Sequence, residues 1–232
     1  MKKLWVSVFL TLFISGSVRA QFAEQIDIPF TRYILDNGLT LLVHEDHKAP
    51  IVAVNVWYHV GSKNEQPGKT GFAHLYEHLM YNGSENYNDE FFRPLDAAGA
   101  TDRNGSTSSD YTNYYQTVPT SALDMVLWME SDRMGHLLGV IDQGKLDEQK
   151  GVVINELRQR YNNSPYGGAW NTILQGVYPE GHPYRWSPGG TEEDVENATL
   201  EDVRQWFETY YGPDNAVLTI AGDVNPQEVL EM

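Results

Sequence analysis

The chain has 232 residues, with 16 Lys and Arg against 32 Asp and Glu, and no cysteine. Its net charge of −16 disfavours nucleic acid and anionic lipid as partners. Without cysteine there are no disulfides, thiolate ligands or thiol nucleophiles, so any metal site must be built from His and carboxylate.

Residues 1–20 read as a secretory signal peptide. Lys2 and Lys3 form a positive start, Leu4 to Ile14 is almost continuously apolar, and Val18-Arg19-Ala20 supplies a small-residue cleavage signal. That run is too short for a convincing membrane span, and no other run is longer. The mature chain, 21–232, is therefore expected to be exported, to the periplasm or the medium, with no stable membrane anchor. Its length suits one fairly large domain with a real core.

A hairpin comes next, with Arg32–Leu35 and Thr40–Val43 flanking Asp36-Asn37-Gly38, whose Asn-Gly pair is a strong turn signal. Ile51–Val60 alternates apolar and polar residues and reads as a strand. A helix over 71–82 begins at Thr70-Gly71-Phe72-Ala73, anchored by Leu75 and Leu79. A shorter one near 88–98 starts at Asn88, with Pro94 kinking it or lying near its start. Strands follow at 99–104 and 108–118, then a helix to His136 opened by a Ser121/Asp124 capping box. Gln143–Tyr161 reads as a charged helix, and Tyr166–Val177 and Leu200–Tyr211 as two more. Ala216–Ala221 is a buried strand, and Asn225-Pro226 starts a last helix. This order predicts an α+β fold, a mixed and largely antiparallel sheet with helices packed on it.

The chemistry concentrates in His74-Leu75-Tyr76-Glu77-His78. On a helix, His74 and His78 share one face a turn apart and can converge on one Zn2+, which they leave short of its usual four ligands. Glu77 reaches the open side of that metal, a position suited to a general base rather than a ligand. The pattern H-x-x-E-H inverts the commoner H-E-x-x-H metallopeptidase signature. The remaining histidines, His44, His47, His59, His136 and His182, lack ligand spacing and read as surface or structural. Matches to N-x-S/T at Asn82, Asn104, Asn162 and Asn197 are weak glycosylation signals.

With Val152-Val153-Ile154-Asn155-Glu156 downstream, the motif resembles that of the inverzincin metallopeptidases, which include pitrilysin, insulin-degrading enzyme and the mitochondrial processing peptidase. The resemblance implies His74, His78 and Glu156 as ligands of one Zn2+ per chain and Glu77 as the base. Family members often carry a supporting acid seven positions before the ligand glutamate. Here Gln149 stands at that position with Glu148 beside it, so Glu148 takes the role through a local shift or the role is absent. Ala98–Thr101, Asn104-Gly105-Ser106-Thr107-Ser108 and Tyr111–Tyr115 are similar to the family's substrate-binding strand, which implies Asn104, Gly105, Ser106 and Thr107 as substrate contacts. An exposed strand edge suits an extended peptide, and Gly105 would let its backbone approach. Trp206–Asn215 and Ala216–Asp223 resemble the family's closing segment. By the same resemblance the chain is the N-terminal half of a clamshell, cut before its last helix and before a second homologous domain or subunit. The activity implied is zinc-dependent endopeptidase action on extended peptides. The alternative is a non-catalytic peptide-binding subunit of the same fold.

Overall fold

The computed structural model describes residues 27–232, so the expected signal peptide lies outside the described residues. The strands are β1 (Thr31–Ile34), β2 (Thr40–Glu45), β3 (Ile51–Tyr58), β4 (Thr101–Thr107), β5 (Thr112–Pro119) and β6 (Ala216–Gly222). The helices are α1 (Phe72–Leu79), α2 (Phe92–Ala97), α3 (Leu123–Gly135), α4 (Gln143–Leu157), α5 (Ala169–Val177), α6 (Glu192–Glu196), α7 (Leu200–Tyr210) and α8 (Pro226–Glu231). The strands form one six-stranded sheet of order β1-β2-β6-β3-β5-β4. Only the β2–β6 pair is parallel, so the α+β, mixed and largely antiparallel expectation holds.

The hairpin turns where the Asn-Gly pair predicts. Gly38 adopts φ 90°, and Asn37 Oδ1 accepts the Leu39 N–H at 3.1 Å. Along β3 the alternation works as the pattern demands: Val52, Val54, Val56 and Tyr58 are buried, while Ile51 and Ala53 face water. One sheet face thus carries the core. Val56, Tyr58 and Tyr114 pack with Leu75 and Leu79 of α1, Val153 and Leu157 of α4 and Trp206 of α7. Val52, Val54 and Ile220 pack with Leu95 of α2, Val126 of α3 and Val229 of α8.

Several boundaries differ from the sequence reading. Strands β4 and β5 begin later than expected and turn through 108–111, where Ser108 N donates to Tyr111 O. Helix α2 starts at Phe92, not Asn88; Pro94 has no N–H to give and so sits in the first turn. The Ser121/Asp124 capping box is absent: Thr120–Ala122 is a 3-10 turn and Ala122 ends it without a side-chain cap. Helix α4 stops at Leu157 and runs into a π-helical turn over Arg158–Asn162. Tyr166, at φ 60°, lies outside α5. Helix α6 was not expected, although Thr191 caps it by accepting from Asp194 N at 3.1 Å. The last helix begins as read, with Pro226 in its first turn and Asn225 Oδ1 accepting from Gln227 N and Glu228 N.

Candidate metal centre

Helix α1 is short, and its start is built from distant parts of the chain. Gly71 holds φ 84° at the N-cap and has no side chain to close the helix end. Glu65 does so instead, its Oε1 accepting the Ala73 N–H at 2.9 Å while its Oε2 takes the Trp186 indole N–H at 2.9 Å. A Cβ on Gly71 would also stand 2.9 Å from Val195 Cγ2, so glycine is needed both for its conformation and for its packing. Leu75, Tyr76 and Leu79 bury the other face, and the helix cannot rotate its histidines away.

His74 and His78 consequently share the open face, their ring centroids 4.9 Å apart at 88°. At the C-terminal end of α4, Glu156 brings Oε2 to 3.7 Å from both Nε2 atoms. Among the described residues these three side chains form a group whose ligand atoms all lie within 4.8 Å of one another. At 3.7 Å the contacts are too long for hydrogen bonds. They lie near the roughly 3.3–3.4 Å edge of a tetrahedron with zinc–ligand bonds of ~2.0–2.1 Å. Burial pushes the His74 imidazole down to about 4, helped by the charges of His78 and Arg160, and burial also lowers His78. Both rings are therefore neutral at pH 7 with lone pairs to give. His74 Nδ1 is buried without a partner, so no internal bond competes for that ring. The residues fit a zinc ion.

Glu77 is 8% exposed and points beside this trio. Burial pushes its carboxyl up to about 7; the Thr107 hydrogen bond opposes the rise, Glu156 adds to it and Arg160 opposes it. Thr107 Oγ1 donates to Glu77 Oε2 at 2.5 Å. Such a carboxyl exchanges protons near neutrality, as a general base must.

Strand β4 is the last strand of the sheet, so its outer edge is unpaired. Its inner edge sets Asn104 against Tyr115, Gly105 against Tyr114, Ser106 against Asn113 and Thr107 against Thr112. Asn104 Oδ1 accepts the Gly105 N–H at 2.9 Å. Thr107 points inward to Glu77, which the resemblance did not indicate. Glu148 is exposed, and Gln149 is the residue that hydrogen-bonds His78. Position 149 lies seven residues before Glu156 and shares its helical face, whereas 148 is rotated about 100° away. An amide thus stands seven residues before Glu156, with the exposed Glu148 beside it. His47 lies 2.6 Å from both Glu45 and Asp223, and His182 stacks on Tyr178, both away from the trio.

The sheet thus presents an inverted histidine motif beside an open strand edge. Residues 40–167 match the insulinase profile (peptidase family M16), residues 197–232 match the profile described as the M16 inactive domain, and the chain belongs to that family. It is 36% identical over 200 residues to the zinc protease PqqE of Helicobacter pylori, a match covering 85% of this chain and 44% of that one. The crystal structure of a protease from Helicobacter pylori superposes with TM-score 0.81 at 35% identity, over 88% of this chain and 48% of the other. The fold is also that of the periplasmic protease PqqL from Escherichia coli, at TM-score 0.78 and 23% identity, over 88% of this chain and 23% of that one. The chain spans less than half the length of these relatives. Relatives named as zinc proteases support a peptidase role.

Proposed function

We propose that this chain is the metal-bearing half of a zinc-dependent endopeptidase acting on extended peptides, completed by a second homologous domain or subunit. The observation that carries the reading is the convergence of His74, His78 and Glu156 beside a buried Glu77 poised near neutral pH. One Zn2+ held by the trio would polarise a scissile carbonyl and make water a competent nucleophile near pH 7. Glu77 takes the proton of the attacking water and passes it to the departing amine. Thr107 holds the Glu77 carboxylate in place through Oε2. The free edge of β4, from Asn104 to Thr107, aligns the substrate backbone as an added strand. Gln149 hydrogen-bonds His78 and helps to orient it, as outer partners of metal-bound histidines do. Export is supported by residues 1–20 and by the periplasmic relative. None of the described helices is long and apolar enough to cross a membrane.

The test is zinc per chain, with Glu156→Gln and Glu77→Gln beside the parent. One zinc in the parent, much weaker retention in Glu156→Gln, and full retention with peptide hydrolysis abolished in Glu77→Gln are expected. A folded parent without zinc would favour the peptide-binding subunit, as would a Glu77→Gln variant no different from an inactive parent given its second half.

A further inference from the structure

Beside Glu77 lies a buried hydroxyl that this chemistry leaves unused. Tyr81 follows α1, and its ring is fixed against Phe92 and Tyr114, with centroids 4.6 and 5.7 Å away. Its hydroxyl is buried and has no hydrogen-bond partner. Across from it stands Gly105 of β4. A Cβ at that position would overlap the Tyr81 hydroxyl and stand 2.9 Å from Glu77 Oε1 and 3.2 Å from Glu77 Cδ. The phenol and Oε1 thus share one small space, which exists because residue 105 has no side chain. Oε2 already receives Thr107. The hydrogen bond given to Glu77 falls on Oε2, so an unpartnered buried donor and a carboxylate oxygen with capacity to spare both face the same bare position of Gly105.

We propose that Tyr81 is a positioning residue whose phenol donates to Glu77 Oε1, and that Gly105 provides the clearance for the two to meet. With Thr107 on the other oxygen, the carboxylate plane is clamped from both sides, and each oxygen keeps a lone pair for water. Gly105 therefore serves the base from within the domain, beyond its place on the substrate edge. The catalytic consequence rests on the peptidase reading; the contact does not.

The experiment uses the zinc-free full chain labelled with 13C at tyrosine Cζ, the Tyr81 resonance being assigned through Tyr81→Phe. Glu77→Gln is expected to displace that resonance while leaving that of Tyr33, on the opposite edge of the sheet from β4, in place, and Gly105→Ala to displace it as well. A Tyr81 resonance indifferent to Glu77→Gln overturns the contact, whether or not Gly105→Ala folds. In whichever form hydrolyses peptides, Tyr81→Phe is expected to lower kcat roughly tenfold with KM and zinc content unchanged. A change in KM or zinc content with kcat intact overturns the positioning role. A parent that neither binds zinc nor hydrolyses peptides overturns the peptidase reading, and the Cζ response still decides the contact.

Discussion

At the scale of single residues, Glu77 shows how environment selects a role. The same residue type at Glu148 is exposed. Glu77 is buried, and burial lifts its carboxyl to about 7 while the Thr107 hydroxyl pulls it back. Hydrogen bonds to a charged group contribute about 1.5–3 kcal/mol. Thr107→Val should therefore raise the Glu77 pKa and cut kcat/KM about tenfold or more near pH 6–7, with partial recovery at higher pH. A cation in the trio lowers the Glu77 pKa, so the acid limb of the loaded parent should lie below 7. A pH profile of both proteins checks this, and identical acid limbs would remove Thr107 from the site.

At the scale of elements, α3 crosses the sheet with a charge inside the core. Arg133 is 1% exposed and pairs with Glu130 at 2.7 Å, and Glu130 also accepts from Gln116 Nε2 at 2.9 Å. The guanidinium lies 4.0 Å from the Phe91 centroid and 4.4 Å from that of Tyr114. The pair fixes the register of α3 against β5, next to the tyrosine that faces Glu77. Arg133→Ala would strand Glu130 as an unpaired buried charge, a loss of about 3–5 kcal/mol. Urea denaturation should show the midpoint falling accordingly; a loss under ~1 kcal/mol would mean that the pair adds little to the stability of the core.

At the scale of the whole molecule, the site depends on contacts between segments far apart in the chain. Glu65 joins the loop before α1, the helix start itself and Trp186. Burial pushes its carboxyl up to about 8 against the N–H groups of Ala73 and Gly71 and the Trp186 indole. In the unfolded chain it titrates near the ordinary glutamate value of 4.5. Between those values the folded state holds more protons, so this contribution to stability is full below pH 4.5 and lost as pH rises through 8. Unfolding midpoints measured across that range should decline in the parent more than in Glu65→Gln. Equal slopes would locate the pH dependence elsewhere.

Local patterns in the sequence settled much of this protein. Period-two alternation gives β3, Asn37-Gly38 gives the first turn, and four-residue spacing puts His74 and His78 on one helical face. Those features depend only on neighbours a few residues apart. Tertiary structure decided the rest. The last strand enters the sheet between β2 and β3, parallel to the former, because its apolar face completes a core begun by the earliest strands. Glu156 was named by resemblance, but only packing of α4 on α1 brings Oε2 to 3.7 Å from both imidazoles. The residues that stand against Glu77 and His78, namely Thr107, Gly105 and Gln149, carry no local signature of their roles. Hydrogen bonds and close approaches across the sheet and between helices are made by folding, and no period along the chain records them.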